Sequence, residues 1–158
     1  MSNGTSPLLV AVLFLALAVI GWLIYRNPQM FKDLIGADSF VSGEHIVVNG
    51  TWVGVEIADT DELRIKGLSG RENLAQRKGM LFVFDQDGYH RIWMKDMRFE
   101  IDIIWIAADG TIVDIEKSVG PETYPESFYP SKEARYVLEV VGGFSDVHNV
   151  NVGDRVAI

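Results

Sequence analysis

The chain has no cysteine, so disulfides, thiolate metal sites and cysteine nucleophiles are excluded. Positive charge is also scarce: Lys and Arg total 14 against 22 Asp and Glu, for a net charge of -8. Nucleic-acid binding needs basic residues clustered on one face, and no such cluster is present, so that class of partner is not expected. The three histidines, His45, His90 and His148, are far apart and none has metal-ligand spacing. Asp85, Asp87 and Gly88 lack the length and the distal glutamate of a calcium loop and read as a turn. Internal repeats and low-complexity tracts are absent as well. No bound metal or cofactor is expected from this pattern.

Apolar content, by contrast, is high at 48%. Part of it forms one uninterrupted run. Met1 to Tyr25 contains no charged side chain, and Pro7 to Tyr25, "PLLVAVLFLALAVIGWLIY", is almost wholly apolar. A bilayer-spanning helix needs roughly 20 such residues. A buried core helix would show a polar stripe, and a signal peptide would carry a basic leading region and a shorter apolar stretch. Residues 1–25 therefore read as an uncleaved single-pass membrane anchor through residues 7–25, with Trp22 and Tyr25 at the interface. Residues 26–44 read as a linker and 45–158 as the globular domain. Arg26 and Lys32, just after the apolar run, favour a cytoplasmic domain under the positive-inside rule, though two charges are a small bias.

The rest of the chain is patterned as short strands. "HIVVNGTWVGVEIA" holds two β-rich runs around Asn49-Gly50, a strong hairpin signal. Asp59 or Thr60 can cap a short helix that Gly67 ends, and Ser69 to Glu72 has capping-box spacing for a second one through about Gln76. Strands are expected at 79–85, 91–95, 99–107, 111–117 and 133–141, with Asp109-Gly110 as a hairpin turn, one helical turn within 144–150 and a closing strand at the C-terminus. Ser118–Ser131 is a 14-residue loop with three prolines and with Tyr124, Phe128 and Tyr129, long enough to be a functional rim or lid. The sum is a mostly β fold: a compact barrel or sandwich with one or two short helical insertions, preceded by the transmembrane helix.

Charges written into the strands mark the candidate site. Along Phe99–Ala107, period-two alternation sets Phe99, Ile101, Ile103 and Trp105 on one face and Glu100, Asp102, Ile104 and Ile106 on the other. A buried carboxylate without a partner costs several kcal/mol or takes up a proton. Asp102 therefore needs an ion pair with Arg64, Arg71 or Lys95, or a wet pocket. Glu139 repeats the pattern between Val137 and Val141. If the strand at 91–95 pairs with that at 99–107, Lys95 reaches Asp102 only diagonally. A polar pocket at one end of the barrel would gather Trp93, Lys95, Asp102 and Glu139, with Arg64 and Arg71 as further candidates. Two carboxylates could also act as acid and base on a glycan, provided they stand roughly 5–9.5 Å apart across one cleft. No residue is assigned as catalytic. Met80, Met94 and Met97 lack regular spacing and read as packing rather than as a copper site.

Three segments also carry a family resemblance: "RIKGLSGRENLAQRKGMLFVF", then "IWMKDMRFEIDIIWIAADGTIVDIEK", then "LEVVGGFSDVHNVNVGDRV". In this order they resemble domain-of-unknown-function family 192 (DUF192). The matching positions are Arg64, Gly67-Leu68, Arg71, Leu74, Gly79-Met80 and Phe82-Phe84; then Trp93-Met94-Lys95 and Asp102; then Leu138-Glu139, Gly143 and Gly153-Asp154. They span about residues 46–158. Ser69 and Met97 depart from the family's usual methionine and small polar residue. The resemblance implies a compact, mostly β domain and no particular reaction. Members often carry an export signal or anchor, which shifts the expectation to an extracytoplasmic domain. The expected role is a non-enzymatic binding or accessory module for a small polar or envelope-derived ligand. A glycan hydrolase using Asp102 and Glu139, or a module docking a protein through Tyr124–Tyr129, are the alternatives.

Overall fold

The computed structural model describes residues 44–158. The expected membrane anchor and nearly all of the linker lie outside the described residues. Among the described residues no helix is long and apolar enough to cross a membrane.

Among the described residues nine strands, β1 Glu44–Val48, β2 Thr51–Ala58, β3 Lys78–Gly88, β4 Ile92–Trp93, β5 Ile101–Ile106, β6 Ile112–Val119, β7 Ser127–Phe128, β8 Ala134–Val141 and β9 Val156–Ala157, form two sheets. The larger has seven strands in the order β6-β5-β8-β3-β2-β1-β9. All its pairs are antiparallel except β2 with β3. Its edges meet: Ile112 donates to the Asp154 carbonyl and Val156 to the Gly110 carbonyl, and Thr111 bridges Arg155. The sheet is thus a curled, partly closed barrel with two short helices, α1 Asp61–Lys66 and α2 Phe144–Val147.

Local chemistry accounts for the connections. Asn49 and Gly50 both have positive φ (44° and 77°), as a two-residue hairpin turn between Val48 and Thr51 requires. Thr60 caps α1 by accepting from the Leu63 amide, and Gly67 at φ 49° stops it. The second helix expected over 69–76 does not form. Gly70 sits at φ 78°, and its neighbours bind distant partners: Ser69 Oγ donates to the Lys95 carbonyl, Arg71 pairs with Glu56, and Glu72 with Arg98.

Two apolar layers cover the two faces of the central strands. Inside the curl lie Val53, Val55, Leu81, Ile104, Ile106, Leu138 and Val140. On the outer face, Ala58, Met80, Phe82, Ile103, Trp105 and Val137 pack with Leu68, Ile92 and Met94 from the segments laid over them. This explains why all six residues of β5 are buried, and why the alternation read along that strand matches the division between the layers. Met80 and Met94 are both buried in the outer layer and Met97 packs against it.

Pairing of the 91–95 segment differs from the expectation. β4 is only Ile92–Trp93, and it pairs with β7 in a separate two-stranded sheet, while β5 lies between β6 and β8. Asp96 at φ 56° turns the chain away before a hairpin with β5 can form.

At Gly79 the strands β3 and β8 come too close for a side chain. A Cβ there would lie 2.7 Å from the Glu139 carbonyl oxygen and 3.1 Å from the Leu138 and Val140 side chains. Gly79→Ala is expected to destabilise the domain by about 1–3 kcal/mol, read as a lower urea midpoint at unchanged slope.

Candidate functional site

The register separates the two strand carboxylates. Asp102 is opposite Val140, and Glu139 is opposite Ile103 and Met80. Paired residues point to the same side of a sheet and neighbours along a strand to opposite sides. Asp102 therefore faces the inner layer and Glu139 the outer one. They do not meet across one cleft, so the acid–base geometry considered for a glycan hydrolase is not formed.

Asp102 is 0% exposed. Among the described residues no Arg or Lys side chain is paired with it, unlike the ion pair considered from sequence. Its partners are backbone amides: Ser118 at 2.8 Å and Gly143 at 2.9 Å to Oδ1, and Ser145 at 2.7 Å to Oδ2. Two of these amides open α2, so the carboxylate caps that helix while tying the end of β6 to the end of β8.

Glu139 is 5% exposed, and among the described residues its Oε2 has no hydrogen-bond partner. It lines a cavity of about 320 Å³ on the outer face, at the small end of ligand-site volumes. Leu68, Phe82, Phe84, Trp93 and Met97 supply the apolar walls. Burial pushes the Glu139 carboxyl up to about 8, against which the charge of Arg71 acts. At neutral pH this group is mostly the neutral acid, able to donate one hydrogen bond and accept others.

Arg71 is held away from the cavity lining. Its guanidinium forks onto Glu56 at 2.5 and 2.7 Å, and that hydrogen-bonded pairing holds Glu56 below the ordinary carboxylate range. Glu56, Met80, Glu139 and Ile103 form one row across the sheet, which places the pair on the same face as Glu139. Arg64 lines the cavity and braces it. It donates to the Asp59 and Val83 carbonyls at 2.7 and 2.6 Å, pairs with Asp61 at 2.7 Å, and sits 5.3 Å from the Phe84 ring centre. Trp93, 37% exposed, forms part of the wall, with the Arg91 guanidinium 5.3 Å from its ring centre.

Three of the six sequence candidates thus share the cavity: Arg64, Trp93 and Glu139. Arg71 acts on it through charge, Lys95 is exposed on a turn, and Asp102 lies on the other face. Sequence reasoning missed Lys66, Arg91, Phe82 and Phe84. The phenylalanines were detectable, since Met80, Phe82 and Phe84 alternate along β3 on the face that Glu139 shares. None of the cavity lining comes from Ser118–Ser131. That loop instead pairs Ser127 with Trp93 and so supports the wall from behind, with Tyr124 and Tyr129 about half exposed.

A family model described as DUF192, Uncharacterized ACR, matches residues 44–158. The chain belongs to the DUF192 family. Two solved structures are similar to it. One is a Sinorhizobium meliloti protein described as a candidate transcription regulator, 30% identical over 71% of this chain and 88% of its own, with a TM-score of 0.66. The other is a Novosphingobium aromaticivorans protein of unknown function, 27% identical over 72% of this chain and 84% of its own, with a TM-score of 0.67. Comparison with curated proteins gives no match.

Proposed function

We propose that this DUF192 domain is a non-enzymatic binding module, carried at a membrane surface by the apolar segment 7–25 and facing the extracytoplasmic side. Its site is the outer-face cavity, and its ligand is a small molecule with an apolar body and one hydrogen-bonding group. The observation that carries this reading is the Glu139 carboxyl: buried, among the lining residues of the cavity, and with Oε2 unpartnered among the described residues. Unpaired buried polar groups cost free energy in the empty protein, and a ligand that supplies the missing bond recovers it. Phe82, Phe84 and Trp93 give the lining an apolar character suited to a planar or aliphatic body, although His90 stacks on Phe84 and Arg91 lies over Trp93. The separation of Asp102 from Glu139 speaks against the glycan hydrolase.

Thermal denaturation of the chain in detergent micelles, with a panel of sugars, peptidoglycan fragments, nucleotides and small aromatic or aliphatic acids, tests the proposal. Glu139→Leu serves as the partner variant, because an apolar residue of similar length removes the polar group and fits its surroundings. A ligand at 100 times its dissociation constant stabilises by about 2.7 kcal/mol. At least one panel member is expected to raise the melting temperature of the wild type and to raise that of Glu139→Leu much less. Equal protection of both proteins, or protection of neither, would contradict the proposal.

A further inference from the structure

The charges around the cavity narrow the ligand class, an inference that rests on the binding reading above. Five charged or chargeable side chains line it: Asp61, Arg64, Lys66, Arg91 and Glu139. Asp61 and Arg64 neutralise each other. Lys66, in the last turn of α1, and Arg91, beside β4, are both exposed, and among the described residues neither forms a salt bridge. Arg91 is already oriented, lying over the Trp93 ring that forms the wall. The cavity is therefore polarised. A carboxyl with an unpartnered oxygen lies buried among its lining residues, aromatic rings line it, and two exposed cations without a direct ion pair among the described residues, Lys66 and Arg91, complete the lining; Lys66 also acts by charge on Glu56.

We infer that the ligand is a small amphipathic anion, with a hydroxyl or carbonyl end that bonds Glu139, an apolar body against Phe82, Phe84 and Trp93, and an oxyanion at the other end that meets Lys66 and Arg91. A cationic ligand would set its charge against two like charges. A neutral one would leave the two cations unused. The oxyanion can be a carboxylate or a phosphate-type group, since both accept from ammonium and guanidinium donors.

Four probes with one phenol head and different tails separate the possibilities: 4-hydroxyphenylacetate, 4-hydroxybenzylphosphonate, 4-ethylphenol and tyramine. Affinities are measured by titration calorimetry at low salt on the wild-type chain, on Glu139→Leu and on the Lys66→Glu, Arg91→Glu double variant. Both substituted cations are exposed, so the double variant is expected to fold. The two anions are expected to bind wild type at least about tenfold more tightly than tyramine, with the gap narrowing as salt is added. The stronger of the two identifies the oxyanion. In the double variant the preference is expected to reverse toward tyramine. If all four bind through Glu139 with equal affinity, or if the anion preference survives in the double variant, the charge inference is wrong and the binding site stands. If none binds wild type more tightly than Glu139→Leu, the pocket reading fails and this inference fails with it.

Discussion

Asp102→Ala is expected to lower the stability of the domain by about 3–5 kcal/mol, because it strips the acceptor from three backbone amides at once. Hydrogen bonds to a charged group contribute roughly 1.5–3 kcal/mol each, but they are not additive at a shared carboxylate. The alanine leaves the Ser145 amide buried without a partner and removes the cap of α2. For a domain of this size the melting temperature should fall by roughly 15 °C. Asp102→Asn keeps one acceptor and turns an amide N–H₂ toward a backbone donor, so an intermediate loss is expected. Glu116→Gln, an exposed carboxylate on β6, should change stability by less than about 0.5 kcal/mol. Calorimetric unfolding of the three variants checks the ranking. Loss of ligand binding by folded Asp102→Asn, without loss of stability, would place Asp102 in the site instead.

Glu139 should make the protein less stable as the solution becomes more alkaline. Its carboxyl is raised to about 8 in the folded chain from an ordinary 4.5. Between those values the native state keeps the proton and the unfolded state has released it. Stability is then greatest below the unfolded value and declines as pH rises through the folded one. The slope is about 1.4 kcal/mol per pH unit within that window, and the accumulated loss by pH 9 is on the order of 5 kcal/mol. Glu139→Gln, neutral at every pH, lacks this slope. The two proteins should have similar urea midpoints at pH 4, and the variant should be several kcal/mol more stable at pH 9. All other titrating groups are common to both, so the difference isolates Glu139. Parallel stability curves for the two proteins would show that the carboxyl ionises freely in the fold.

These two residues also show how far the sequence could be read. Period-two alternation correctly set Asp102 with Ile104 and Glu139 with Val137, because a strand's side chains take their faces from backbone geometry alone. The turns at Asn49-Gly50 and Asp109-Gly110 were legible for the same local reason, since Asn49, Gly50 and Gly110 tolerate positive φ. What answers each charge was not legible. Asp102 is satisfied by amides 16, 41 and 43 residues away, and backbone donors leave no trace in the side-chain pattern. The pairing of β4 with β7 instead of β5 depends on contacts across more than 30 residues of chain, beyond the reach of turn chemistry. Lys66 and Arg91 come from different elements, so their shared position at the cavity followed from no spacing.

The central claim is that Glu139 is a buried acid waiting for a partner. Carbon-13 NMR titration of the glutamate carboxyls, with Glu139→Gln for assignment, tests it most directly. One resonance, missing in the variant, is expected to titrate with a midpoint near 8 and to shift when 4-hydroxyphenylacetate is added. A Glu139 carboxyl that titrates near the ordinary 4.5 and ignores the ligand would contradict the account.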